Sequence, residues 1–240
     1  MGDIGQAGAV SIKDNIARVR ERIERAALRA GRDPASVGLV AVSKTKPAEL
    51  IYEAYNEGLT VFGENYAQEL RAKQDSELLR DLPGVAWHMI GHVQTNKVKQ
   101  IVGRTALIHS LDSLRLAAEI QRQSERLRIV TDVLIEVNVA REKDKYGFHA
   151  EEVNGAAEEI AGYGNIRVLG LMTSAPITRT YEQNRPYFHE LHDLYLDINR
   201  KKIHNIHMSI LSMGMSGDFE TAIEEGATML RIGTGLFGSR

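Results

Sequence analysis

Apolar positions along the chain follow two alternating rhythms. Over residues 11–30, Ile12, Ile16, Val19, Ile23, Ala26 and Ala27 recur at helical spacing with Arg and Glu between them. That pattern predicts an amphipathic helix, capped by Ser11 and stopped by Gly31. Beyond Asp33-Pro34, short apolar runs alternate with helical patterns. The runs at 37–45, 60–65, 86–92, 106–111, 129–139, 166–173, 207–211 and 227–232 read as strands. The segments at 47–56, 66–79, 95–102, 113–127, 149–161, 181–201 and 218–225 read as helices, the first with Pro47 at its opening position. Strands separated by helices imply parallel pairing, because a parallel crossover needs about a dozen residues. Eight such steps in 240 residues fit a single (β/α)8 barrel of the TIM type with an extra N-terminal helix. A doubly wound open sheet is the competing architecture. It usually carries a glycine-rich fingerprint after its first strand, where this chain has Ser43-Lys44-Thr45-Lys46-Pro47.

Composition narrows the function classes. The chain is 43% hydrophobic and 26% charged, an ordinary globular balance. Residues 1–10 are small and Gly-rich without a basic start, so they are expected to be a disordered N-terminus rather than a signal peptide. Residues 11–240 are expected to form one barrel domain. There is no cysteine, which excludes disulfides, thiol nucleophiles and iron–sulfur ligation and fits a cytoplasmic location. A net charge of −2 gives no global field for nucleic acid or membrane. No apolar run approaches the roughly 18 residues of a spanning helix. Nothing in the pattern demands an obligate interface, so a monomer is expected.

In a barrel the carboxyl ends of all eight strands face one mouth. Those ends here carry Lys44; Glu64 and Asn65; His92 and Gln94; His109; Asn138; Met172 and Thr173; Ser212, Gly214 and Ser216; and Arg231, Gly233, Thr234 and Gly235. A lysine ending a buried strand is either a snorkelling surface amine or a desolvated nucleophile for a carbonyl. The Gly/Ser loops after strands seven and eight favour the second reading. Barrels often bind phosphate there, and glycine permits the close backbone approach it needs. Asp218 would cap the following helix. An amine opposite a phosphate site suits a ligand bearing both an aldehyde and a phosphate, and pyridoxal 5′-phosphate (PLP) is such a ligand. Arg231 would approach its pyridine nitrogen and keep it unprotonated, which weakens the electron sink. Lys145, before Tyr146-Gly147, is a second amine near the mouth. His88 reads as a hydrogen-bonded core residue, and His204 with His207 lacks a third metal ligand, so no metal is expected.

Six blocks then add a family resemblance. They are residues 41–47, Phe62-Gly63-Glu64-Asn65-Tyr66, residues 87–97, Gly170-Leu171-Met172-Thr173, residues 211–218 and residues 231–238. Together they resemble the pyridoxal phosphate homeostasis proteins, relatives of the alanine racemase N-terminal barrel, over residues 11–238. Val93 and Thr95 are conservative departures from the usual Leu and Ser. The resemblance implies PLP held by a Schiff base on Lys44, with Ser212, Gly233 and Thr234 on the phosphate. It also implies Arg231 at the pyridine nitrogen and Asn65 and Met172 beside the ring. It further implies a carrier or regulator of cellular PLP without an established reaction, and so no catalytic residues. PLP-dependent apoenzymes are the partners this suggests. The chain ends directly after strand eight, so the β-rich domain that gives racemases their opposing base is not expected. The alternatives are a PLP-dependent amino-acid racemase or decarboxylase, and a class I aldolase acting through Lys44 without cofactor.

Overall fold

The computed structural model describes residues 11–178 and 180–238. The expected disorder of residues 1–10 lies outside them. Eight parallel strands close in sequence order: β1 (Gly38–Val42), β2 (Val61–Glu64), β3 (Ala86–Met89), β4 (Leu107–Leu111), β5 (Thr131–Glu136), β6 (Ile166–Met172), β7 (Ile206–Ser212) and β8 (Met229–Ile232). The barrel shuts where β1 pairs with β8, from Gly38 opposite Met229 to Ala41 opposite Ile232. The helices are α1 (Ile12–Arg29), α2 (Ala48–Asn56), α3 (Ala67–Gln74), α4 (Leu114–Leu127), α5 (Val153–Ile160), α6 (Arg185–Lys201), α7 (Phe219–Glu224) and α8 (Thr234–Phe237). A 3₁₀ segment, Thr95–Gln100, makes the crossover between β3 and β4.

The alternation of each strand sorts its side chains. Leu107, Leu134 and Met172 meet inside the barrel, joined by Leu169, Ile210 and Met229. Residues of opposite parity, such as Phe62, Trp87, Ile108, Val133 and Leu171, pack outward under the helices. On that outer face the Phe62 and Trp87 rings sit 5.6 Å apart. Helix α1 is the extra element. Its Ser11 cap accepts from the Asp14 N–H, and Ile12, Ile16, Val19 and Ile23 are buried as their spacing predicts.

Several boundaries differ from the sequence reading. Strand β1 stops at Val42, so Lys44 stands on a turn two residues past it. Pro47 is the N-cap of α2 in extended geometry rather than its first helical residue. The segment 149–161 divides into a 3₁₀ turn and α5. The short α8 straight after Gly233 was not anticipated, because Gly-Thr-Gly carries no helical periodicity. Among the described residues, no helix is long and apolar enough to cross a membrane.

Candidate functional site

Lys44 owes its position to alternation and to a clasp. Ser43 is fully buried toward α3, so Lys44 takes the opposite direction, into the mouth. Behind the wall, the Lys73 ammonium donates to the Ser43 carbonyl at 2.7 Å, to Glu64 Oε1 at 2.6 Å and to Glu69 Oε1 at 2.7 Å. Ser43 Oγ donates to the same Glu64 oxygen at 2.6 Å. The Thr45 N–H donates to Glu69 Oε1 at 2.5 Å, which holds Thr45 in the left-handed region at φ +63°. Glu64 therefore faces the helix layer, away from the mouth. Burial raises its pKa, and Lys73 opposes that rise.

Across the mouth, Arg231 ends a buried polar chain. His88 Nδ1 lies 2.9 Å from His109 Nε2, and His109 Nδ1 lies 3.0 Å from Ser212 Oγ. Arg231 Nη1 donates to Ser212 Oγ at 2.7 Å, and its Nη2 donates to the Thr173 carbonyl at 2.7 Å. Burial drives the His88 pKa down to about 4 and that of His109 well below the ordinary histidine value. Both rings are thus neutral near pH 7. Burial lowers Arg231 to about 10, against the upward pull of Glu136 and Asp218, so it stays cationic.

The loops after β7 and β8 meet on Ser216. Its Oγ accepts from the N–H groups of Gly233 at 3.3 Å and Gly235 at 3.1 Å. Gly217 lies against the Tyr181 ring so closely that a Cβ there would sit 2.5 Å from a ring carbon. Asp218 does not cap α7 through its side chain. Its Oδ1 accepts from the Met215 N–H at 2.6 Å and its Oδ2 from Asn184 at 2.8 Å, which shapes the loop instead.

Lys44, Asn65, Arg231, Gly233 and Thr234 come together around one cavity of about 300 Å³, with Met215, Ser216 and Gly217 on its loop side. Met172 and Ser212 do not line it. Met172 is buried in the apolar interior cluster, and Ser212 is fully buried beneath Arg231. The hydroxyl that reaches the cavity from this loop belongs to Ser216, four residues on. Among the described residues no carboxylate lines this cavity, whereas an ammonium and a guanidinium do. The arrangement fits an anionic ligand with an electrophilic carbon, and its size suits a small cofactor. His92 and Gln94 instead line a groove of about 490 Å³ to one side, shared with Tyr66 and Lys97. Lys145 donates to the Ser174 carbonyl at 3.3 Å and pairs with Glu142.

Fold and site together define a parallel barrel whose strand ends set a lysine and an arginine around an anion-accepting pocket. Residues 11–240 match the family described as the alanine racemase N-terminal domain. A pyridoxal phosphate homeostasis protein of Aquifex aeolicus is 49% identical over 95% of this chain and 97% of its own. The Escherichia coli K12 protein of that name is 37% identical over 95% and 97%. PipY of Synechococcus elongatus, solved with PLP bound, superposes with a TM-score of 0.81 at 32% identity, over 95% of this chain and all of that one. The chain belongs to the pyridoxal phosphate homeostasis protein family, within the alanine racemase N-terminal domain class. An alanine racemase of Clostridium difficile has a TM-score of 0.69 at 14% identity over 95% of this chain and 56% of that one, a likeness of fold alone.

Proposed function

We propose that this chain binds PLP in the 300 Å³ cavity and serves as a carrier or regulator of the cofactor in the cytoplasm, as a monomer. The observation that carries this reading is the pairing of Lys44 and Arg231 around a pocket with no carboxylate among its described lining residues, edged by Ser216, Gly217, Gly233 and Thr234. In this reading Lys44 Nζ supplies the amine for a Schiff base with the aldehyde. The phosphate rests against Ser216, Gly217, Gly233 and Thr234, where glycines permit backbone approach. Arg231 faces the ring, held by Ser212 and the Thr173 carbonyl. PLP bound there would stabilise a carbanion, and an arginine that keeps its proton restrains that chemistry. A role without turnover follows from this restraint, and the names of the relatives support it. PLP-dependent apoenzymes would be the recipients. Asn65 borders the ring pocket, while Met172 and Ser212 act from the layer of side chains behind the cavity wall.

Borohydride reduction of the PLP-treated protein, followed by peptide mass spectrometry, tests the reading. A phosphopyridoxyl adduct on Lys44 is expected. An adduct confined to Lys145, or none, would overturn it. Sustained racemisation or decarboxylation of an amino acid by the purified protein would replace the carrier role with an enzymatic one.

A further inference from the structure

Two strand-end loops lean on one buried amide. Asn184 ends the 3₁₀ turn Tyr181–Asn184 that precedes α6, and it is only 2% exposed. Its Nδ2 donates to Asp218 Oδ2 at 2.8 Å and to the Pro176 carbonyl at 3.2 Å. Its Oδ1 accepts from Thr178 Oγ1 at 3.3 Å. Both partners of the nitrogen are acceptors, so both of its N–H groups are needed. A carboxylate of the same shape would set oxygen against oxygen there.

What Asn184 holds is the loop side of the 300 Å³ cavity. Asp218 Oδ1 accepts from the Met215 N–H at 2.6 Å, and the Asp218 N–H donates to the Met215 carbonyl at 3.1 Å. These bonds close a turn with Ser216 and Gly217 at its tip, where both line the cavity. Ser216 Oγ in turn accepts from the Gly233 N–H. The 3₁₀ turn braces the same tip a second time, because the Tyr181 ring packs against Gly217. Pro176 and Thr178 belong to the loop after β6, which carries Ser174 on the cavity wall. Asn184 thus ties the loop after β6 to the loop after β7 without lining the cavity itself.

We propose that Asn184 is a positioning residue for phosphate. Acting through Asp218, it holds the Met215–Asp218 turn in the shape that presents Ser216 and Gly217 to an anion. The cavity thereby selects the phosphorylated aldehyde over the same aldehyde without phosphate. This inference rests on the PLP reading of the cavity. A cradle of donors ordered before the ligand arrives loses less freedom on binding. Without Asn184, the Asp218 carboxylate keeps one of its two donors, and nothing fixes its orientation toward the Met215 N–H. Pyridoxal, which has no phosphate to place against the turn, feels that loss far less.

Calorimetric titrations with PLP and with pyridoxal test this role. The preference for PLP over pyridoxal should fall about tenfold in Asn184→Asp, the worth of one hydrogen bond to a charged group. A purely structural lesion would weaken both ligands alike. Adding Asp218→Asn reverses the polarity of the pair, so the double variant should recover part of the preference, with the Pro176 contact still lost. Amide exchange in the unaltered protein gives a second test that needs no variant to fold. Saturating PLP should slow exchange over residues 180–184 and 215–218 together, and pyridoxal should slow both less. An unchanged preference in Asn184→Asp, no recovery in the double variant, or protection confined to residues 215–218 would overturn the role of Asn184. Should that happen while borohydride still traps PLP on Lys44, the cofactor reading stands; a protein with no adduct on Lys44 loses both.

Discussion

At the scale of single residues, Ser212 at the end of β7 and Ser216 in the loop after it do different work although they stand four apart. Ser216 gathers the Gly233 and Gly235 N–H groups at the cavity edge, while Ser212 links Arg231 to His109 inside the barrel. Ser216→Ala should therefore weaken PLP binding about tenfold with little change in stability. Each lost hydrogen bond is worth about 1 kcal/mol, and the N–H groups it frees lie at a solvated edge. Ser212→Ala should do the reverse in emphasis. It leaves buried Arg231 and His109 without a shared partner, at a cost of about 1–3 kcal/mol. Paired cofactor titrations and urea unfolding of the two variants separate these outcomes. A Ser212→Ala protein of unchanged stability would show that the buried chain is not structurally coupled.

At the scale of elements, the turn between β1 and α2 depends on a neighbour that holds it from behind. Lys73 of α3 binds Ser43, Glu64 and Glu69 in one buried cluster, and Glu69 in turn holds the Thr45 N–H. Lys73→Met should destabilise the protein by about 3–5 kcal/mol, because it leaves the Glu64 carboxylate buried without its cation. It should also speed exchange of the Thr45 amide proton. Glu64→Gln added to Lys73→Met should recover part of the loss, since the stranded charge is then gone. Full additivity of the two substitutions in thermal unfolding would sink the idea. This clasp was not legible in the sequence. Helical periodicity marks which residues are buried, and Lys73 reads there as a solvated charge. The barrel itself was legible, because alternating runs and crossovers leave few topologies for eight short strands. Lys44, Asn65, Arg231, Gly233 and Thr234 were legible as strand-end residues for the same reason. Ser212 and Ser216 could not be told apart without knowing where β7 ends. Glu136, whose charge acts on Arg231, was not singled out because the sequence pattern runs the fifth strand to residue 139 and puts Asn138 at its mouth end, whereas β5 stops at Glu136.

At the scale of the whole molecule, the barrel interior divides into an apolar plug and a polar upper layer, and that layer makes stability depend on pH in two opposing ways. The plug is the cluster of Leu107, Leu134, Met172, Leu169, Ile210 and Met229. Above it lie neutral His88 and His109, cationic Arg231 and the unpartnered Glu136. Native His88 refuses a proton until about pH 4, whereas an unfolded histidine accepts one near 6.5. The native state therefore loses stability as pH falls across that window, by roughly 3 kcal/mol for His88. His109 acts in the same direction. Glu136 acts in the other. Its native carboxyl keeps a proton up to about pH 7, while the unfolded chain releases it near 4.5. The native state thus gains stability from Glu136 as pH falls from 7 toward 4.5, and loses that gain as pH rises through 7. In the wild-type protein the two contributions partly cancel between pH 6.5 and 4.5. Glu136→Gln removes the compensating one. Its unfolding free energy should fall more steeply from pH 7 to pH 5 than that of the wild type. Urea titrations at the two pH values give both slopes, and equal slopes would mean that Glu136 does not titrate inside the folded barrel. His88→Gln, which removes one of the acid-sensitive groups, should flatten the same limb.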